Sequence, residues 1–246
     1  MSFNVTVLGC SGVYQTRDLA ASGFLVEIDG GHWLIDMGGG TWRNLFSQMD
    51  YRDLDGVFLT HRHPDHTIDI WQFFHARHYG DVPESKIPLW APQETIDRLV
   101  AFDDGVSESF ALEPVDETSE VRFGDARLTF GRMQHPPVTL GVRIEHGDDT
   151  VAYTADTGPE GDIEGIATGV NVLLCEATAQ DADEPWWGHL SASDAARIAA
   201  RCGVDRLVLT HLRPESDRDL SLQQARRAAP GLSIELATDG MKLEVG

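Results

Sequence analysis

The sequence predicts an α/β fold in a single domain, residues 1–246, and three observations point there. Short β-branched or aromatic runs recur between turn residues, and helical stretches are spaced among them. No Gly/Ser or Pro linker divides the chain. A weak internal echo links its halves: Val57-Phe58-Leu59-Thr60-His61 is matched by Leu207-Val208-Leu209-Thr210-His211, and Leu34-Ile35-Asp36-Met37-Gly38 by the run from Tyr153 to Gly158. Each is an apolar strand whose end delivers a His or an Asp, and strand ends that converge on one rim build a polar site on a rigid scaffold.

In chain order, the first half predicts strands at Val5–Leu8, Phe24–Ile28, Trp33–Ile35 and Val57–Thr60. Helices are expected at Trp42–Gln48, Ile68–Arg77 and Gln93–Phe102. Residues 103–120 carry seven acids and no base, and read as a solvated connection between the halves. The second half predicts strands at Leu128–Phe130, Val138–Ile144, Val151–Thr154, Val172–Leu174, Leu207–Thr210 and Met241–Val245. Its helices are expected at Ser191–Arg201 and Leu220–Ala228. Ser191 is the N-cap of the former, Asp194 follows three residues on, and Gly203 ends it.

Charge excludes several functions. Nineteen basic residues stand against 40 acidic ones, a net charge of −21. A polyanion binder normally offers a basic face, so long nucleic acids and acidic lipid surfaces are disfavoured as partners. A small anion is still acceptable where metal ions supply local positive charge. Only Lys86 and Lys242 are lysines, so 17 of the bases are arginines. Excess Asp with almost no Lys fits adaptation to high salt, and equally a GC-rich coding bias. No apolar run approaches the length of a transmembrane helix, and the N-terminus lacks the charges and apolar core of a signal peptide. Three scattered cysteines (Cys10, Cys175 and Cys202) make no disulfide framework, so a cytoplasmic location is expected.

The strongest motif is Thr60-His61-Arg62-His63-Pro64-Asp65-His66, directly after a strand. His61 and His63 point to one side of an extended backbone. Asp65 and His66 follow a proline at which the chain turns into a helix. One short loop can thus aim two ligands at one metal and two at a neighbour. Imidazole with carboxylate suits zinc first, and also manganese or iron.

This motif resembles the His-x-His-x-Asp-His signature of the metallo-β-lactamase superfamily. The resemblance runs from Val5 to the C-terminus and implies an αβ/βα sandwich, two mixed β-sheets flanked by helices. It continues at His135 in Met133-Gln134-His135-Pro136, at Asp156, and at His211. Taken alone, His135 or His211 reads as an ordinary histidine; order and context make each a candidate ligand. The family pattern implies two divalent ions: His61, His63 and His135 on the first, Asp65, His66 and His211 on the second, with Asp156 bridging. Asp65 also counts among the catalytic candidates. The implied chemistry is hydrolysis by a hydroxide shared between the ions.

Two further segments resemble ribonuclease Z and its relatives: Cys175-Glu176-Ala177-Thr178, and Gly188-His189-Leu190-Ser191-Ala192. There the Glu orients the His, which faces the scissile phosphate, so Glu176 and His189 are the implied catalytic pair. The chain departs from that pattern at Cys175, where His is expected, and at Ala155, where Gly is usual. The interval Asp156–Glu176 is too short, and too acidic, for the basic arm that grips transfer RNA. The resemblance therefore implies an armless, ribonuclease Z-like phosphodiesterase acting on a small, cyclic nucleotide. The alternatives are a transfer-RNA 3′-processing endonuclease and a lactonase or thioesterase. Relatives are often dimers, so a homodimer is the assembly to test.

Other residues read more plainly. Trp186-Trp187 fit a base-stacking surface and a packed pair equally. His75 and His78 read as one face of a helix, and His32 and His146 as exposed beside hairpin turns. Cys10 reads as packing, and Gly38-Gly39-Gly40 as a tight turn. Asp36 reads as a support for the loop that carries His61.

Overall fold

The structure is a computed structural model that describes residues 2–80, 85–183 and 186–245. The first half contains β1 (Phe3–Gly9), β2 (Gly23–Ile28), β3 (Gly31–Ile35), α1 (Thr41–Leu45), β4 (Gly56–Phe58), α2 (Pro64–Thr67), α3 (Ile70–Tyr79), β5 (Ile87–Ala91), α4 (Gln93–Phe102), α5 (Val106–Ser109) and β6 (Phe110–Pro114). The second contains β7 (Glu120–Phe123), β8 (Ala126–Arg132), β9 (Leu140–His146), β10 (Asp149–Tyr153), α6 (Ile163–Ala167), β11 (Val172–Glu176), α7 (Ala192–Cys202), β12 (Arg206–Thr210), α8 (Arg218–Ala228), β13 (Ser233–Leu236) and β14 (Lys242–Glu244).

Two seven-stranded mixed sheets result, ordered β14-β1-β2-β3-β4-β5-β6 and β13-β12-β11-β10-β9-β8-β7. Side-chain alternation lays out the layers. In β2, Phe24, Val26 and Ile28 enter the core between the sheets, where they meet Phe130, Val142, Ile144 and Tyr153. Leu25, between them, faces outward with Leu34 and Val57 against Phe73 and Phe74 of α3 and Leu99 of α4. On the far side Leu173, Leu207 and Leu209 pack against Ile163 and Ile166 of α6 and Ala195 and Ala199 of α7. Each of the buried Val, Leu, Ile and Phe side chains contributes about 1.5–3 kcal/mol. The layers are therefore helices, sheet, sheet, helices. Among the described residues no helix is long and apolar enough to cross a membrane.

The structure corrects the sequence reading in five places. Residues 103–120 are not merely a connection. They hold α5 and β6, a parallel edge strand whose Phe110 is buried while Glu113 faces water. Strands β5, β7 and β13 and helix α6 were not expected. The stretch 68–77 does not start one helix: α2 ends at Thr67, and Asp69 turns its carboxylate onto the backbone N–H groups of Gly40 and Trp42 at the start of α1. His146 is buried rather than exposed, edge-on to Phe3 and 3.2 Å from Asp29. The echo between β4 and β12 is one of sequence only, because β11, not β12, holds the place beside β10 that β4 holds beside β3. Helix α7 matches expectation closely. Ser191 Oγ accepts from the Asp194 N–H at 3.1 Å, and Gly203 closes the helix at φ +67°.

Candidate metal centre

The candidate residues gather where strand ends from both sheets meet. His61 and His63 follow β4, and Asp65 and His66 lie in the first turns of α2. His135 follows β8, Asp156 follows β10 and His211 follows β12. The Leu140 N–H donates to Thr60 O across the sandwich at 3.1 Å, fixing the two rims together. Gly38 lies against this loop. A side chain there would place its Cβ 2.0 Å from the Asp65 carbonyl oxygen, so only glycine fits the turn.

Two groups of four form. In each group, one ligand atom from every residue lies within 4.8 Å of the others: His61, His63, His135 and Asp156, and beside them Asp65, His66, Asp156 and His211. In the first, His63 Nδ1 stands 3.1 Å from His61 Nε2 and 3.2 Å from His135 Nε2. Asp156 Oδ2 lies 3.7 and 3.6 Å from those two Nε2 atoms. In the second, His211 Nε2 lies 3.3 Å from His66 Nε2 and 3.2 Å from Asp65 Oδ2. Asp156 thus turns one oxygen to each group.

In four of the five histidines the other imidazole nitrogen has a partner. His66 Nδ1 donates to Asp36 at 2.7 Å, and His135 Nδ1 to the Gly188 carbonyl at 2.9 Å. The Thr60 hydroxyl donates to Asp36 and so accepts from His61 Nδ1 at 3.0 Å. The Thr178 hydroxyl donates to the His211 carbonyl and accepts from His211 Nδ1 at 2.8 Å. With Nδ1 protonated in all four rings, the Nε2 lone pairs face inward. Partners of this kind orient metal-binding histidines.

The donor set fits a pair of cations. Among the described residues, the buried Asp156 Oδ1 accepts no hydrogen bond, although His66 Nε2 and His211 Nε2 each lie at 3.3 Å. Nitrogens held tetrahedrally about 2.0–2.1 Å from one zinc stand roughly 3.3 Å apart, which is the spacing found here. The His/Asp cluster is therefore suited to a metal-ion pair.

Backbone strain concentrates at the same rim. Asp36, Ala155 and His211 adopt φ values of +58°, +53° and +57°. The second of these explains why Gly is usual at the position of Ala155. Val13, a β-branched residue at φ +67°, donates its N–H to Asp65 Oδ2 at 3.0 Å. Nothing in its sequence context signals that contact. Thr60 and Thr178 were also missed as supports, though both sit inside motifs that were singled out.

Glu176 and His189 lie against the second group. Their contact is 2.6 Å, between Oε1 and Nδ1, and Glu176 also accepts from the N–H groups of Thr157 and Thr178. Burial opposes charge on His189, but the Glu176 carboxylate and its hydrogen bond outweigh it and raise the imidazole to about 9. The His189 ring stacks on His211 at 5.6 Å. Asp36 touches His66 directly and reaches His61 through Thr60, as a support for that loop would. Cys10 is buried, with its thiol on the Ala237 carbonyl; burial and the Asp239 charge push it up to about 12, so it is no nucleophile. Cys175 packs in the apolar layer beneath α7. His78, on α3, lies 3.5 Å from Glu108 of α5, and among the described residues neither it nor His75 belongs to a metal-type cluster.

The family model for the "Beta-lactamase superfamily domain" matches residues 34–212. An uncharacterised protein of Mycobacterium tuberculosis is 32% identical over 242 residues, 94% of this chain and 88% of its own. The "Probable metallo-hydrolase YhfI" of Bacillus subtilis is 28% identical over 98% of this chain and 99% of its own. The crystal structure of YhfI superimposes with a TM-score of 0.90, covering 98% of each chain at 26% identity. The ribonuclease Z of Haloferax volcanii is 27% identical over 100% of this chain and 96% of its own. The chain belongs to the β-lactamase superfamily, in its ribonuclease Z-like branch. It is a metal-dependent hydrolase.

Proposed function

We propose that the protein is a dinuclear phosphodiesterase that hydrolyses a small, cyclic nucleotide phosphodiester in the cytosol. The observation that carries this reading is the Glu176–His189 pair, hydrogen-bonded at 2.6 Å and set against the His/Asp cluster. A lactone or thioester needs the cluster alone; a phosphodiester also gains from a cation facing its developing charge. In this reading His61, His63 and His135 hold one ion, Asp65, His66 and His211 the other, and Asp156 both. Zinc fits the nitrogen-rich donors best. When bound, the pair supplies Lewis acidity and an activated water.

The chain's own residues do the rest. Nδ1 of His189 stays on Glu176, so its Nε2–H is the group free to turn toward the phosphate and to hand a proton to the leaving oxygen. Glu176 fixes that orientation through two backbone N–H groups. Thr178 braces His211 and lies 3.3 Å from His189 Nδ1, so the ring and the ligand keep their spacing.

A long RNA is disfavoured on two counts. The net charge of −21 repels it. The alignment with the Haloferax ribonuclease Z also runs over 305 positions against the 246 residues here, so that enzyme carries inserted sequence which this chain lacks. The test is a panel with metal-loaded protein: 3′,5′-cyclic AMP, bis(p-nitrophenyl) phosphate, precursor transfer RNA, a lactone and a thioester. Turnover of the two small phosphodiesters is expected. Faster turnover of the lactone or the thioester would replace the reading with a carboxylic hydrolase.

A further inference from the structure

Two tryptophans stand at the mouth of the site without the burial that such side chains usually find. Trp186 is 46% exposed and Trp187 54%, and their rings lie 5.8 Å apart. Trp186 leans on His189 at 4.6 Å and on His135 at 5.8 Å. One aromatic face therefore continues from the candidate centre out to solvent. The segment that carries it is held firmly. The Gly188 carbonyl is tied by His135, and Gly158 packs so tightly on the Trp187 carbonyl that a Cβ there would lie 1.7 Å from that oxygen.

The tryptophans and His189 line a cavity of about 560 Å³, within the usual range for small-ligand sites. Its polar lining includes Asp181, Asp183 and Asp194, of which Asp194 is paired with Arg197 at 3.0 Å and Asp183 with Arg213. Aromatic faces attract a flat ring. Carboxylates accept from the amino groups on a base edge.

We infer that Trp186, with Trp187 beside it, is a stacking platform for an amino-bearing nucleobase. This rests on the phosphodiesterase reading for the position of the phosphate, beside His189. It adds the part of the substrate that the metal cluster does not define.

The test is calorimetric binding to the metal-loaded protein, with adenosine 5′-monophosphate and base-free ribose 5-phosphate as probes. The wild type should bind the nucleotide at least roughly tenfold more tightly, the worth of one stacked base. Trp186→Ala should erase that gap, and Trp186→Phe should keep most of it. Both positions are exposed, so the fold should survive. Equal binding of the two probes by the wild type, or a gap that Trp186→Ala leaves intact, overturns the platform. Hydrolysis of bis(p-nitrophenyl) phosphate, measured in parallel, judges the phosphodiesterase reading separately. A base-dependent gap without hydrolysis keeps the platform and removes that reading.

Discussion

His189 hydrogen-bonds to Glu176, whereas Asp36 accepts from His66 and Thr60. Replacing His189 with Ala should leave metal content near two equivalents and lower phosphodiester turnover by about 10²–10⁴-fold. Loss of metal from that variant, measured by elemental analysis, would make His189 a ligand instead. In the phosphodiesterase reading the protonated ring is the active form, so turnover should fall as pH rises through about 9. Glu176→Gln removes the carboxylate that raises the ring, so the alkaline limb should move down toward the ordinary imidazole range, with a smaller loss of rate. An unmoved limb would assign it to another group. Asp36 is buried under His66 and Thr60. Asp36→Asn should weaken metal binding by roughly 10–100-fold in a chelator competition while the fold persists by circular dichroism. At this scale the sequence was informative wherever a residue type was chemically loud. His61, His63, Asp65 and His66 announce themselves by spacing. Val13 and Gly188 act through backbone atoms, which no side-chain pattern encodes.

Elements were legible where two signals agreed. Helix α4 falls at Gln93–Phe102 as read, and α7 within a residue of its expected ends, because the Ser191 cap and Gly203 bracket it. Ser191→Ala should lower stability by about 1 kcal/mol in urea unfolding. A change under a few tenths would mean that the Asp194 N–H finds water at no cost. Short strands were lost when their signals conflicted. Pro88 sits inside β5, where it removes a ladder donor and speaks against a strand. Glu113 on β6 and the acids on either side of the strand mask the apolar contribution of Phe110. Helix α6 is only five residues long, too short to show a helical period.

Across the whole molecule, the dominant quantity is the charge of −21. Screening over about 10 Å or less relieves acid–acid repulsion, so KCl should preserve or raise the melting temperature. The same field acts on substrates. The value of kcat/KM for 3′,5′-cyclic AMP should far exceed that for precursor transfer RNA at both low and high KCl. Faster, site-specific cleavage of the RNA at both salts would promote the endonuclease. The two-sheet architecture followed from family resemblance rather than from strand pattern. The topology then shows what the pattern did not. Both sheets run antiparallel for their leading strands and parallel from β3 or β10 onward, giving the halves related layouts.

That layout means each cluster of four takes two residues from one half of the chain and two from the other. His61 and His63 face His135 and Asp156; Asp65 and His66 face Asp156 and His211. An ion held in either place is a rivet between two plates. Chelation should therefore do more than silence the enzyme: it should lower the melting temperature, because a ligand bound only by the closed sandwich stabilises it in proportion to the logarithm of its free concentration over its dissociation constant. Release of the ions should also keep pace with separation of the plates. Hydrogen exchange in the buried strands β2, β9 and β10 should then rise together when the metal is stripped, and rise in step with metal loss.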